Sequence, residues 1–255
     1  GLAAQLTVLR RFKEENASFD ADIEFVGLSD EERHSIGAHA YVKLMQQQNA
    51  LRKKNFFLMG EPHFDNIVIG ATGKALLSLR IQGKEGHAST PETGINAIDC
   101  MARFLTAVQE KYMPLYANGV CASYCCLKIE SDYAGYSLTI PSKCSALMNK
   151  QLFPTESIDS FIDDLQRIYA EKVCVGNLTI CREIPSYPAY QLSPEQSDVQ
   201  RLTSLLRKQF GHAPELRINQ SVSDGNILYN ELSIPTVLFG PHGVAFHTEC
   251  EYVKI

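Results

Sequence analysis

The sequence predicts an α/β fold in which a mostly parallel sheet carries helices on both faces. Helical and β-prone segments alternate at the start of the chain, and such alternation is typical of parallel sheets. With 255 residues and 45% hydrophobic content, the chain has room for one large domain or two ordinary ones. The alternating segments are a helix over residues 2–13, a strand over 22–26, a helix near 35–48 and a strand over 56–59.

A second pattern begins after residue 73. The order of predicted elements is strand, helix, strand, strand, helix, strand, which is the ferredoxin-like order. We therefore predict an inserted α+β domain over residues 74–184, between a first part (1–73) and a second part (185–255) of the main domain. The elements are strands over 75–82, 121–129, 143–148 and 175–181, a helix over 93–111, and a helix that Thr155 caps.

Composition excludes several classes of partner. The net charge of -5, without a basic block or stripe, argues against a nucleic acid or an anionic membrane. No apolar run approaches the ~20 residues that a membrane helix needs. Eight cysteines without a C-x-x-C pair indicate neither a disulfide framework nor a structural zinc site. We expect reduced, mostly buried thiols in a cytoplasmic protein.

Three adjacent acids, Asp30-Glu31-Glu32, follow the apolar run 23–27. Like charges repel, so such a triplet is either a solvated acidic loop or a site that uses the charges. In the second interpretation, one glutamate binds a metal while its neighbour takes a proton from water. A second acidic segment, Gly60-Glu61-Pro62, follows the next predicted strand. Because functional groups collect at the carboxyl ends of parallel strands, the pair favours a site more than either segment alone.

Further motifs follow in a fixed order along the chain. Each motif by itself is weak evidence for a protein family, whereas their order along the chain is strong evidence. They are Asp30-Glu31-Glu32 with Gly37-Ala38, Gly60-Glu61-Pro62, Gly86-His87-Ala88-Ser89-x-Pro91, Ser223-Asp224, Ile234-Pro235, Gly240-Pro241, and His247-Thr248-x-x-Glu251-Tyr252-Val253.

In this order the motifs resemble those of the two-zinc hydrolases that include acetylornithine deacetylase, succinyl-diaminopimelate desuccinylase, aminoacylase and glutamate carboxypeptidase. The resemblance runs over nearly the whole chain and implies the fold of the zinc exopeptidases. It implies two Zn²⁺ per subunit, with Co²⁺ or Mn²⁺ as alternatives, and hydrolysis of an amide bond in a small peptide or N-acyl amino acid. It also implies that the inserted domain is a lid and dimerisation domain, so we expect a homodimer.

The resemblance implies a role for five residues. Glu31 corresponds to the general base that acts on a zinc-bound water. Glu32 and Glu61 correspond to ligands of different zinc ions, and His247 to the last ligand of the Glu32 ion. His87 corresponds to the histidine that reaches the substrate carbonyl, often across a dimer interface. These side chains suit the roles, because zinc binds carboxylate oxygen and imidazole nitrogen and an imidazole can stabilise an oxyanion.

The segment that contains Asp224 and Asn226 has two interpretations, a polar turn or a substrate contact. The remaining histidines have no matching context, apart from His242, which lies in the turn before His247. We interpret the following as surface or loop residues: His34, His39, His63 and His212.

The sequence departs from the family pattern in several places. A His-x-Asp ligand and a bridging aspartate are expected upstream of Leu2, and a closing helix is expected after Val253. Leu138 and Gln151 replace the family's usual asparagine and arginine, which leaves the substrate open. An alternative hypothesis is therefore an inactive or shortened relative that acts as a dimerisation or binding module.

Overall fold

The computed structural model describes residues 1–47, 56–62, 66–133, 138–246 and 248–254. The chain divides into two compact units, Gly1–Thr72 with Ala189–Ile255, and Gly73–Pro188. The helices are α1 Leu2–Glu14, α2 Ile36–Gln47, α3 Ala97–Ala117, α4 Ile158–Lys172, α5 Ser197–Phe210 and α6 Asp224–Leu232. The strands are β1 Phe57–Met59, β2 Asn66–Ala71, β3 Gly73–Gln82, β4 Tyr124–Ser131, β5 Lys143–Leu152, β6 Asn177–Tyr187, β7 Tyr190–Gln191, β8 Glu215–Asn219, β9 Thr236–Leu238, β10 His242–Val244 and β11 Tyr252–Lys254.

The first unit is built on a five-stranded sheet in the order β1-β9-β2-β7, with β8 beside β2. Strands β1 and β9 are parallel, as are β2 and β8, whereas β2 runs antiparallel to β9 and β7. The α/β class is thus confirmed, with a mixed rather than mostly parallel pairing among the described strands. The fully buried side chains on one side of the sheet include Ile67, Ile69, Val199 and Val237.

The second unit has the predicted ferredoxin-like order. Its four strands are all antiparallel in the order β4-β5-β3-β6, and α3 and α4 contact each other and the sheet. Alternate residues of β5 are buried, as expected for a strand with one covered face. The core between sheet and helices contains Leu77, Phe104, Met148 and Leu165, each fully buried.

Helix caps explain where two of the predicted helices begin. The side chain of Asn96 accepts hydrogen bonds from the backbone N–H groups of Ile98 and Asp99, so α3 begins at residue 97 rather than 93. Ser157, not Thr155, caps α4 by accepting from the N–H of Ser160.

The predicted strand over 22–26 is wrong. These residues belong to none of the strands in the described part of the chain, and Asp30-Glu31-Glu32 lies in a loop and turn before α2 instead of at a strand end. The β propensity of the apolar residues is local, and a strand also needs a neighbour with which to pair. Conversely, β2, β8 and α6 were not predicted.

The thiols also differ from expectation. All eight cysteines are free, but only Cys100, Cys121 and Cys144 are buried, so the prediction of mostly buried thiols is wrong. None of the helices in the described ranges combines the length and apolar character needed to cross a bilayer.

Candidate active site

The segment Asp30-Glu31-Glu32, which we call the acidic turn, is stabilised by hydrogen bonds to Asp30 and not by pairing with a strand. The backbone oxygen of Asp30 accepts a hydrogen bond from the N–H of Ser35 at 2.8 Å, and its Oδ2 accepts one from the N–H of His34 at 3.3 Å. Asp30 and Ser35 have left-handed backbone conformations, with φ values of 67° and 53°. Such conformations are costly for residues other than glycine and concentrate at functional sites. The turn therefore presents Glu31 and Glu32 from a constrained backbone.

Gly37 allows this turn to lie against the start of α2. Its N–H donates to the backbone oxygen of Ser29 at 3.1 Å. A Cβ at residue 37 would lie 2.4 Å from the Ser29 nitrogen and 2.6 Å from the Ser29 oxygen, which is too close for any side chain. The glycine of the Gly37-Ala38 motif is thus required by packing.

Glu61 follows β1 at the carboxyl end of that strand. Burial raises the pKa of Glu61, and the negative charges of Asp224 and Glu32 raise it further. Two carboxyl groups from distant parts of the sequence therefore act on Glu61. Because β1 and β9 are parallel neighbours, the loop after β9 reaches the same edge, and Gly240 lies so close that a Cβ there would be 2.2 Å from the Glu61 backbone oxygen.

Asp224 begins α6 and is only 2% exposed. Burial raises the pKa of its carboxyl group, although a hydrogen bond from Ser35 and the proximity of His39 oppose the shift. Its Oδ1 atom is buried without a hydrogen-bond partner among the described residues. Ser35 is not among the residues predicted from the sequence, because a serine before a helix normally indicates nothing more than a cap.

Asn226 has a structural role in this chain. It is fully buried, its Oδ1 accepts from the N–H of Ser223 at 3.0 Å, and its Nδ2 donates to the backbone oxygen of Thr72 at 3.0 Å. With Ser223 it forms a capping box for α6. The substrate contacts suggested for Asp224 and Asn226 stay predictions, and the burial of both residues favours a role in supporting the site.

The histidines singled out in the sequence lie in different parts of the fold. His87 belongs to the second unit, in a loop between β3 and α3, where its Nδ1 lies 2.7 Å from the Ser89 Oγ. His247 lies outside the described residues, as does His63. His39 is in α2, not in a loop, and its Nδ1 lies 3.2 Å from a carboxylate oxygen of Glu231. The exposed positions predicted for His34, His39 and His212 are confirmed.

The carboxyl groups of the first unit suit a divalent cation. Glu61 and Asp224 are crowded with like charge in a partly dry environment, and a cation would relieve that repulsion. Within the described ranges, no three His, Cys, Asp or Glu side chains are grouped so as to hold a metal ion. The predicted ligand set of Glu32, Glu61 and His247 includes one residue outside those ranges, so it stays a prediction.

The segment that matches a known protein family lies largely in the ferredoxin-like second unit. Residues 69–173 match the family model of the M20 peptidase dimerisation domain.

Two curated proteins are similar in sequence to this chain. A probable succinyl-diaminopimelate desuccinylase of Staphylococcus aureus (strain MRSA252) is 30% identical over 118 residues, which are 46% of this chain and 28% of that protein. An acetylornithine deacetylase of Pectobacterium carotovorum is 25% identical over 240 residues, which are 88% of this chain and 57% of that protein. The resemblance drawn from the motifs is confirmed. The matched region spans 28% of the first relative and 57% of the second.

Solved structures share the fold. The aminopeptidase PepT of Bacillus cereus superimposes with a TM-score of 0.76 at 21% identity, over 98% of this chain and 64% of PepT. The YXEP protein of Bacillus subtilis, a dinuclear metal binding peptidase from the M20 family, has a TM-score of 0.66 at 13% identity, over 95% of this chain and 63% of its own. At these identities the likeness establishes the fold alone.

Proposed function

We propose that the protein containing this chain is a metal-dependent hydrolase that cleaves an amide bond in a small peptide or an N-acyl amino acid. The observation that carries the proposal is that the charges of Asp224 and Glu32 raise the pKa of Glu61, because this joins the acidic turn to the carboxyl end of β1. Relatives named as deacetylases and desuccinylases, and structural neighbours named as peptidases, support an amide as the bond that is cleaved.

Each side chain has a distinct task in this proposal. Glu32 and His247 would hold one cation and Glu61 a second, and Zn²⁺ is our candidate for both because it accepts carboxylate and imidazole ligands. When bound, the cation supplies Lewis acidity that polarises the scissile carbonyl and acidifies water. Glu31 accepts a proton from the attacking water and delivers it to the leaving amine. His87 donates a hydrogen bond to the oxyanion that develops on the carbonyl.

We also propose that two copies of the chain pair through the second unit. Strand β4 is an edge of its sheet, so its outer backbone groups are available for another strand. Large apolar side chains are exposed on this strand and near the end of α3, which supports a covered surface in the assembled protein. They are Met113, Tyr116, Leu127 and Ile129.

Replacement of Glu31 tests the catalytic proposal. In the natural protein loaded with Zn²⁺, Glu31→Gln is expected to reduce kcat by at least ~100-fold, as for loss of a general base, while the metal content stays unchanged. The assay uses N-acetyl and N-succinyl amino acids together with di- and tripeptides. Glu14→Gln, on the exposed face of α1, is the matched control. Full turnover by Glu31→Gln would refute the assignment, and a wild-type protein without turnover on the panel would favour the binding-module alternative.

A further inference from the structure

We propose that Ser89 is a positioning residue that holds the neutral imidazole of His87 in the tautomer with its proton on Nε2. The proposed hydrolysis explains what this proton would be used for. The tautomer itself follows from the hydrogen bonds of the second unit, and it can be tested without any substrate.

The backbone on both sides of His87 is fixed. The oxygen of Gly86 accepts a hydrogen bond from the N–H of Ile140 at 2.8 Å, and the N–H of Ala88 donates to the oxygen of Leu138 at 2.7 Å. His87 itself forms an isolated antiparallel bridge with Thr139. The Cα–Cβ direction of His87 is therefore set by a short strand pairing, and only rotation of the side chain is left to be controlled.

A tight turn after His87 controls that rotation. The N–H of Thr90 donates to the His87 backbone oxygen at 2.9 Å and closes the turn. Inside the turn, the backbone N–H of Ser89 points at the ring and donates to Nδ1 at 3.2 Å. The Ser89 Oγ lies 2.7 Å from the same nitrogen.

These contacts determine which nitrogen carries the proton. A backbone N–H is only a donor, so the nitrogen that faces it must present a lone pair. A proton on Nδ1 would point at the hydrogen of the Ser89 N–H, and the two would repel each other. In the neutral ring the proton is therefore on Nε2, and the Ser89 hydroxyl acts as a second donor to Nδ1.

The consequence is a donor that faces away from the turn. His87 is exposed, so its Nε2–H is available to a group outside the loop. In the proposed reaction this N–H stabilises the oxyanion, whereas the other tautomer would present a lone pair to negative charge and a ring flipped by 180° would present a C–H group. Ser89 thus acts on the reaction through His87 and does not need to touch the substrate.

Nitrogen NMR tests the tautomer directly. Long-range ¹H–¹⁵N spectra of the uniformly labelled natural protein, recorded where His87 is neutral, are assigned by the signals that His87→Gln removes. We expect a protonated Nε2 and an unprotonated Nδ1. Ser89→Ala removes the hydroxyl donor but keeps the backbone N–H, so it should shift the Nδ1 resonance while the proton stays on Nε2, and Ser89→Thr should restore the wild-type spectrum.

Thr90→Ala is the matched control, because it removes a hydroxyl group of the same turn that contacts the His87 backbone oxygen and not the ring. Its His87 ring signals should match those of the wild type. A wild-type ring with its proton on Nδ1 would overturn the proposal, and so would His87 ring signals that are identical in Ser89→Ala and the wild type.

Kinetics then separate this inference from the proposed function. If the protein hydrolyses amides, Ser89→Ala should lower kcat by about fivefold, the effect of one lost hydrogen bond, with little change in KM. It should cause no further loss in a His87→Gln background. Absence of hydrolysis would refute the function but leave the NMR result to decide the tautomer, and hydrolysis with a proton on Nδ1 would refute the inference alone.

Discussion

The carboxyl group of Asp224, at the start of α6, raises the pKa of Glu61, which follows β1. Burial is the larger cause of the raised pKa of Glu61 and also raises the pKa of Asp224. Ionisation of these two acidic groups therefore costs free energy in the folded chain. A bound cation would offset this cost, and without the cation the stability of the fold should depend on pH.

The first prediction concerns this pH dependence. The ordinary pKa values are 4.5 for Glu61 and 3.8 for Asp224, and both are raised in the folded state. The folded chain therefore binds more protons than the unfolded chain above pH ~4, and the free energy of unfolding falls as pH rises through the folded pKa values. In EDTA, Asp224→Asn should give a shallower fall, measured by urea unfolding between pH 4 and 8.

The exposed residue Asp20 provides the control for that experiment. Asp20→Asn should leave the slope of the wild type unchanged, because it removes the same charge from a solvated position. Equal slopes for Asp224→Asn and the wild type would show that Asp224 does not contribute to the effect.

The second prediction concerns Gly37. Gly37→Ala places a methyl group 2.4 Å from the Ser29 nitrogen, so the acidic turn must move. We expect a loss of about 1–3 kcal/mol in the free energy of unfolding, which is typical of overpacking, together with weaker metal binding. Gly27→Ala is the matched control, since a Cβ there meets only the Phe25 ring at 3.9 Å. Wild-type stability and metal affinity in Gly37→Ala would contradict the packing argument.

The third prediction concerns a buried ion pair of the second unit. Lys150 is 1% exposed, and its Nζ donates to Glu156 Oε1 at 2.8 Å and to the Ala122 backbone oxygen at 2.9 Å. The other carboxylate oxygen of Glu156 accepts from the N–H groups of Ala122 and Phe153. Lys150→Met leaves this carboxylate without its cation, so we expect a loss of about 3–5 kcal/mol in urea unfolding.

The ion pair of Lys128 with Glu130 is a control in the same sheet, because both side chains are 58% exposed. Lys128→Met should change stability by only about 0–1 kcal/mol, as is usual for a solvated pair. If Lys150→Met were equally mild, the buried pair would not be a determinant of stability.

The fourth prediction concerns the oligomeric state. A lysine at the exposed position Ile129 of the edge strand β4 would bring two positive charges together in a paired edge, so Ile129→Lys should produce monomers in light-scattering measurements. Ile184→Lys changes an exposed isoleucine on β6, the opposite edge of the same sheet, and should stay dimeric. Dimers of Ile129→Lys at low micromolar concentration would place the interface elsewhere.

The sequence by itself determined the elements that have strong local signals. Residues 143–148 carry the alternation of a one-sided strand, and the apolar spacing of Ile158, Phe161, Leu165 and Ile168 matches one face of a helix. These signals were enough for the ferredoxin-like order of the second unit. The order of short motifs was likewise enough for the family resemblance.

Only the tertiary structure decided which groups act on one another. Residues 22–26 have strand propensity but pair with no strand among the described residues, whereas β8 has a weak local signal and pairs with β2 in parallel. The charge effect of Asp224 on Glu61 depends on separation and burial, which are not properties of local sequence. Likewise, only the tertiary fold brings Asn226 into a helix cap and Ser89 to the ring of His87, because a hydrogen bond is specified by distance and direction rather than by residue type.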